Sequence, residues 1–561
     1  MVRPSDYPPP YATREFVSAP TDAPDDRIEV GVLVVGAGPA GLACAIRFGQ
    51  LLADDPTTAE RLGEVPLAVV EKGKQPGSHL LSGAVVNPRS LQQLFGDRVR
   101  VEDIPGYGPV PGESVYILTA RQAVTIPTPP PMRNRGNLIF SLAQLGRWLA
   151  EQAEAGGAMV LPETSATHLL VADGAVVGVR TGDKGRGPDG RELGNFEPGN
   201  DIVAAVTVLA EGTQGHLTGV AMDYFGLQGR DPQVWELGVK EVWKVARPLD
   251  RIIHTMGWPL RPQARYREFG GSFIYPMGPE LLTIGMVVGL DYRDVTLSAH
   301  DLLQELKLHP RIRPLLEGGE RLEWGAKTIP GGGFHALPDR FHAPGLLLCG
   351  DGPGMVNVPT LKGVHYAIES GRLAAEAAFA AVRAGANGPL AAYDDAIRSS
   401  FIWQDLYEVR DVRHVFGRGF FTGAACAGAM ILSKGRLGVG RVRTTPDASQ
   451  PLLRTERAAS YPAADGTLTF DKLSSVFAAG NKTRDDQPSH IRLASRVPRD
   501  VADLWVNLCP AKVYTAGDTG PDGLIAVETE PSNCVQCGAI SAKGGRLTPP
   551  EGGSGPEYVQ T

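Results

Sequence analysis

The run Gly36-Ala37-Gly38-Pro39-Ala40-Gly41 follows directly on a β-branched apolar stretch, 28–35 (IEVGVLVV), and opens an alanine-rich segment that reads as a helix to Leu52. Strand, glycine-rich turn and helix in that order form a dinucleotide site. The first glycine permits the tight turn and the second lets backbone approach a pyrophosphate. The third lets the helix pack close on the strand, with the helix N-terminus facing the phosphates. A second strand, 66–70, ends in Glu71, placed to accept hydrogen bonds from a ribose; the polar stretch 53–64 (ADDPTTAERLGE) accounts for the long spacing as helix extension and loop. Two later apolar strands run into small-residue turns. Residues 206–209 lead into Ala210-Glu211-Gly212, and 346–349 lead into Gly350-Asp351-Gly352-Pro353-Gly354, then Gly363 and a helix-like AIESGRLAAEAAFAAV. Returning strands of this kind complete the nucleotide domain of large FAD enzymes, and Asp351 suits a ribityl or phosphate contact, so FAD is favoured over NAD. No second GxGxxG follows an apolar strand, which points to an electron source other than a bound nicotinamide.

The other chemistry-bearing residues are cysteines. Of six, Cys44, Cys349 and Cys426 stand alone among apolar neighbours and read as core packing. Cys509 and the pair Cys534-x-x-Cys537 lie near the end of the chain. A CxxC converging with a distant cysteine is ligand geometry for zinc or an iron–sulfur cluster. The proline after Cys509 is common at the outlying ligand of ferredoxin-type clusters. Zinc would want a fourth Cys or His; none follows Cys537, and the nearest earlier histidine is His490. The plain alternative is a structural CxxC that binds nothing.

These groups must be positioned by a chain of 561 residues, long enough for three to four domains. With 69 glycines and 46 prolines, turns should be abundant. A net charge of −7 argues against a nucleic-acid partner. Residues 1–27 have no apolar core of a secretory signal, and their acidic residues argue against a transit peptide. No apolar run reaches the ~18 residues that span a bilayer. The nearest is the stretch from Gly419 to Ser433 (GFFTGAACAGAMILS), bounded by Arg418 and Lys434. The charged, glycine-rich segment 182–200 reads as a surface loop.

With these elements in view, the chain from about residue 28 to its end resembles the electron transfer flavoprotein:ubiquinone oxidoreductase family. The motifs that carry the resemblance include VVGAGPAGLACAIRF, VEKGKQPGSHLLSGAVVNP, GWPL, FGGSFIYPM, VVGLDY, HPRIRPLLEGG, NVPTLKG, DQPSHIRL, CPAKVY and PPEGGSGPEY. The resemblance implies an FAD enzyme with a C-terminal [4Fe–4S] domain that takes electrons from electron transfer flavoprotein and reduces a membrane quinone. By carry-over, Gly36, Gly38, Pro39, Ala40, Gly41, Glu71 and Lys72 hold the adenosine diphosphate half of FAD. Ser82, Gly83, Gly212 and the stretch from Gly350 and Asp351 to Gly363 approach the rest of the cofactor. Gly270 and Gly271 line the quinone pocket, where bare backbone leaves room for a flat ring. The alternative for that glycine pair is a β-bulge or strand kink.

One departure concerns the cluster. The family motif is CxxCxxC plus the CPA cysteine; here Ile540 stands at the third position, leaving Cys509, Cys534 and Cys537 as metal ligands. Four outcomes stay open: a three-iron cluster, a [4Fe–4S] cluster with a non-cysteine or solvent ligand, another metal, or no cluster. The resemblance also implies two apolar membrane-docking segments. One runs from Ser78 to Phe95 and the other from Gly419 to Ser433, the latter followed by Lys434, Arg436, Arg441 and Arg443, a cluster suited to anionic headgroups. The expected fold is α/β with α+β elements. A proline-rich disordered N-terminus (1–27) precedes a discontinuous Rossmann-type FAD domain (28–210 and 340–400). A quinone domain (211–339), a membrane-associating helical segment (401–454) and a ferredoxin-like domain (455–561) complete the chain. A peripheral, monotopic place on the cytoplasmic face of a bacterial membrane is expected. His79, beside the glycine-rich turn, reads either as a proton carrier or as a surface histidine. Two rival functions are an FAD-dependent reductase of isoprenoid double bonds and a non-enzymatic membrane-bound electron carrier or scaffold with a decayed cluster.

Overall fold

A computed structural model describes residues 2–23, 26–83, 85–385, 390–437 and 440–561. Strand Arg27–Val35, all but its first residues buried, lies at the centre of a nine-stranded sheet, flanked by Asp201–Leu209 and Leu67–Val70, all parallel. The apolar continuity of these strands has a physical cause: helices cover one face and other elements the opposite one, so neither side alternates with water. Helix Pro39–Asp54 packs side by side with helix Val364–Ala384, numbers rising together from Ala40 at Gly371 to Phe48 at Phe379. At the crossing, Gly371 brings the two backbones so close that a Cβ there would lie 1.9 Å from the Ala40 carbonyl oxygen.

A second sheet runs in the order Glu320–Pro330, Trp235–Lys244, Leu281–Gly289, Gly270–Pro276, Ile252–Gly257, Glu113–Leu118, Ala123–Ile126. It is antiparallel except where Ile252–Gly257 meets Glu113–Leu118. The expected quinone domain therefore takes residues 113–126 from the middle of the segment assigned to the FAD domain. Strand-like runs at 113–118 and 123–126 carry no sign in sequence of which sheet they join.

The C-terminal region is not a free-standing unit. Trp505, Val501 and Ile525 share one continuous core with Trp243 and Trp324 of the second sheet. The last residues return to that sheet: the Val559 and Gln560 amides donate to the Glu323 carboxylate at 2.5 and 2.9 Å, and Tyr558 is 1 % exposed.

Three further expectations need correction. The described part of the N-terminal segment is packed on the body: Tyr11 stacks on Phe16, whose ring meets His216 edge-on at 4.4 Å, and Val17–Ser18 adds a parallel strand to Leu169 and Leu170. Aromatic anchors outweigh the prolines that suggested disorder. The segment 182–200 contains a hairpin, Lys184–Arg186 with Glu192–Glu197, rather than a plain loop. The described part of 78–95 is no membrane face, because Ser78, Val86, Leu91, Leu94 and Phe95 are all at most 5 % exposed. Val85, Val86, Leu91, Leu94 and Phe95 are buried.

The segment 401–454 divides into two parts. Helix Phe401–Glu408 and residues to Val415 are docked in the core, and Arg413 is buried in ion pairs with Asp291 and Glu236. Helix Phe420–Leu432 stands on the surface, with Phe421 at 78 % and Leu432 at 82 % exposure. Of the basic cluster that follows, Lys434, Arg436 and Arg443 are exposed, whereas Arg441 is engaged with Asp231. Among the described residues no helix is long and apolar enough to cross a membrane.

Candidate cofactor, quinone and cysteine sites

Between the two sheets lies a cavity of about 320 Å³. Gly36, Gly38, Pro39, Ala40, Glu71, Lys72, Ser82, Gly83, Gly212, Gly350, Asp351 and Gly363 line it. Gly41 does not. A Cβ there would lie 2.0 Å from the Gly36 carbonyl oxygen and 3.0 Å from Val34 Cγ1, so it serves close helix–strand packing rather than contact. Gly36 and Gly350 adopt φ of 107° and 74°, turns that a side chain would strain.

Glu71 ends its strand with both carboxylate oxygens engaged: the Ala37 amide donates to Oε2 at 2.9 Å and the Gly73 amide to Oε1 at 2.7 Å. It thus closes the glycine turn and the loop after its own strand together. Glu211 has a different task, accepting from the Leu217 and Thr218 amides at 3.1 and 2.6 Å and so capping the helix His216–Tyr224. Both long helices aim their N-termini at the cavity, a favourable place for phosphate.

Four lysines also line the cavity, of which the sequence reading named only Lys72. Lys72 donates to Gln536 Oε1 at 2.7 Å and Lys327 to the Gln536 carbonyl at 3.3 Å. Lys240 donates to the Ser82 carbonyl at 2.7 Å, and Lys362 stands beside Leu361 near Gly363. Burial lowers the pKa of Lys327 and Lys362 to about 8 and that of Lys240 to about 7. Burial also raises Asp351 to about 6. His79 is buried, not on the surface. Burial, then the Lys72 and Lys327 charges, hold its imidazole neutral, well below its ordinary range. The donor-rich cradle, the two helix N-termini and the acidic residue at the second strand's end fit FAD.

Gly270 and Gly271 do not line this cavity. They begin the strand that continues to Phe273 and Tyr275, which do line it. A Cβ on either glycine would strike the Val287 or Thr255 carbonyl at 2.0 or 2.3 Å. At the outer end of the strand, Phe269 packs on Phe416, just before the exposed helix Phe420–Leu432. At the inner end, the Tyr275 hydroxyl lies 2.7 Å from His254 Nε2, and burial lowers that histidine to about 3.

Cys509, Cys534 and Cys537 converge on a smaller, separate cavity whose lining also includes Ile540. Among the described residues no group of three or more His, Cys, Asp or Glu side chains could hold a metal ion. The three thiols share the lining of this one small cavity. The Val513 amide donates to Cys509 Sγ and the Gln536 amide to Cys534 Sγ, both at 3.4 Å. The donor set fits a cluster on three thiolates; a fourth cysteine is lacking. The two cavities adjoin, since Gly538 and Leu547 line both.

The architecture is that of a Rossmann-type flavoprotein with a second, mostly antiparallel sheet over the cofactor. A geranylgeranyl bacteriochlorophyll reductase-like protein from Thermoplasma acidophilum shares this fold, with a TM-score of 0.55 at 17 % identity, over 75 % of this chain and 95 % of that one. The myxobacterial chondrochloren halogenase matches with a TM-score of 0.50 at 15 % identity over 75 % and 95 %. Family models add detail: ETF-QO, ubiquinone-binding, matches residues 235–329, and electron transfer flavoprotein-ubiquinone oxidoreductase, 4Fe-4S, matches 466–559. The mitochondrial electron transfer flavoprotein-ubiquinone oxidoreductase of Arabidopsis thaliana is 37 % identical over 96 % of this chain and 85 % of its own length. That of Pseudomonas aeruginosa is 36 % identical over 95 % and 98 %. The chain belongs to the electron transfer flavoprotein-ubiquinone oxidoreductase family, FAD-dependent oxidoreductases.

Proposed function

We propose that this protein oxidises reduced electron transfer flavoprotein and passes the electrons through FAD to a membrane quinone, docked on the bilayer by helix Phe420–Leu432. The observation that carries this reading is one continuous strand, Gly270–Pro276, with its outer end beside the exposed apolar helix and its inner end at the cofactor cavity. A quinone leaving the bilayer beside Phe416 and Phe420 would meet Gly270 and Gly271 first, then Phe273 and Tyr275. Phe420, Phe421 and Leu432 would sit among acyl chains, and Lys434, Arg436 and Arg443 would meet anionic headgroups at roughly 1 kcal/mol each. The reading is of a protein held peripherally on the membrane, on its cytoplasmic face.

FAD, when bound, supplies the redox chemistry: two electrons accepted and delivered singly or in pairs. The chain's own residues position it and handle protons. The Gly36–Gly41 turn and helix Pro39–Asp54 cradle its diphosphate, Glu71 takes a ribose, and Lys72 and Lys327 balance the anionic charge. Tyr275 holds a hydroxyl proton at the cavity wall, backed by neutral His254, where quinone reduction consumes protons.

The test is anaerobic. Reduced electron transfer flavoprotein should bleach the bound flavin, and a short-chain ubiquinone should restore its colour. Re-oxidation by an isoprenoid substrate instead would favour the reductase reading. Failure of both steps would leave a carrier or scaffold.

A further inference from the structure

The cavity that Cys509, Cys534 and Cys537 share is lined otherwise by apolar residues, Ile540 among them, and by Tyr514. We propose that this site takes a three-iron [3Fe–4S] cluster on those three thiolates, with Ile540 filling the corner where a fourth iron would need its ligand. The proposal rests on the functional reading above only in assuming that the domain is redox-active.

Spacing is the first support. Cys534, Cys537 and Ile540 fall three residues apart, so the loop turns all three inward, the positive φ of Gln536 (51°) and Gly538 (86°) bending it around the cavity. A four-iron cubane binds one protein ligand per iron, and here one of the four inward positions carries only hydrocarbon. Only Tyr514 offers another side-chain donor among the lining residues. No carboxylate or imidazole is among the residues lining the cavity, and Tyr514 brings its single side-chain oxygen. Solvent is a poor substitute, because Ile540 is 4 % exposed and packs beside Gly545 and Leu493. An iron left at that corner would be held by cluster sulfides alone; a one-electron oxidant such as ferricyanide takes up the electron as that iron leaves as Fe2+, and every iron of the remaining [3Fe–4S]+ cluster has a thiolate.

The remaining ligands are prepared for this. The 3.4 Å amide contacts to the sulfurs of Cys509 and Cys534 are the kind of outer hydrogen bond that stabilises a ligating thiolate. Loading forms three iron–thiolate bonds and releases three thiol protons, and the assembled cluster exchanges one electron at a time.

The full chain is purified anaerobically, its clusters reconstituted with ferrous iron and sulfide, and the product oxidised with ferricyanide, which accepts the electron each iron gives up on becoming ferric. The expected wild-type content is about three irons and four sulfides per chain, with a paramagnetic signal in the oxidised state that disappears on one-electron reduction. Ile540→Cys should raise the iron to about four and move the signal to the reduced state. Tyr514→Phe should leave the three-iron signal in place. Four irons in the wild type, a four-iron signal lost in Tyr514→Phe, or no iron at all would each overturn the proposal. FAD content and re-oxidation by quinone, measured on the same samples, report separately on the functional reading, and FAD retention in Ile540→Cys shows that the variant is folded.

Discussion

Gly371→Ala places one methyl group between the two helices that frame the cofactor site. Its Cβ would lie 1.9 Å from the Ala40 carbonyl oxygen, 2.8 Å from its carbon and 3.1 Å from its Cα. Ordinary contact begins at 3.4 Å, so the helices must separate by 3.4 − 1.9 = 1.5 Å at that point. The obstacle is main chain on both sides, which no rotamer change relieves. Overpacking of this kind costs roughly 1–3 kcal/mol, partly offset by the ~1 kcal/mol that alanine gains over glycine inside a helix. The shift also matters chemically. Ala40 is the second residue of helix Pro39–Asp54, so a displacement there moves the turn that faces the diphosphate. A loss of about 1.4 kcal/mol in FAD binding is tenfold in affinity. We expect Gly371→Ala to bind FAD at least about tenfold more weakly and to lower Tm. Gly428→Ala is the control: Gly428 also lies inside a helix, but nothing stands within 4 Å of its Cβ position, so it should be neutral or slightly stabilising. FAD titration by flavin fluorescence and thermal unfolding read both effects. An unchanged affinity and Tm in Gly371→Ala would refute the close-approach reasoning.

Other outcomes follow from the same geometry. Glu71→Gln keeps the shape but removes the charge that two amides meet; charge-assisted hydrogen bonds are worth roughly 1.5–3 kcal/mol, and FAD affinity should fall about ten- to hundredfold. Asp351 is raised from 3.8 to about 6 by burial, so the folded FAD-free protein holds that proton more tightly than the unfolded chain. Stability should then fall as pH rises from about 4 to 6, and Asp351→Asn should recover up to about 3 kcal/mol above pH 6 and nothing below pH 4, read by urea unfolding of the FAD-free protein. Tyr275→Phe should slow ubiquinone reduction by at least about tenfold while leaving flavin reduction by electron transfer flavoprotein unchanged; equal quinone rates would remove Tyr275 from the proton path. Phe420→Asp with Phe421→Asp should abolish flotation with anionic liposomes without loss of FAD, and equal partitioning would exclude the helix as the membrane contact.

Much of the nucleotide half was legible in sequence because its signals are local. The run 28–35, the glycine turn and the helix after it are contiguous, and each glycine has a steric reason that its neighbours declare. Lys327, Lys240 and Gln536 were not legible, because each reaches the cofactor cavity from a strand or loop far away in sequence, and an isolated lysine in a strand carries no mark of its destination. Residues 113–126 went to the wrong sheet for the same reason: alternation identifies a strand, but its partner is fixed by tertiary pairing. The apolar stretches 78–95 and 420–432 look alike as sequence. Only packing separates them, since Leu91, Leu94 and Phe95 of the first are buried, while the second leaves Phe421 and Leu432 in the open.

The strand Glu320–Pro330 explains why the cysteine site and the flavin site are neighbours. Its Thr328 amide donates to the Cys537 carbonyl at 2.8 Å, which fastens the cysteine loop to the quinone sheet at one point. Lys327, Thr328 and Ile329 of the same strand line the cofactor cavity, and a Cβ on Gly538 would approach Thr328 Oγ1 to 2.6 Å. A side chain at 538 would have to displace the Thr328 hydroxyl and the Gln214 side chain and would strain a backbone held at φ 86°. Gly538 lines both cavities where they meet, and Lys327, with Gln536 bridging it to Lys72, places positive charge at that junction. A positive charge there attracts an electron to either side alike, so it shifts both potentials in the same direction and leaves their difference to other groups.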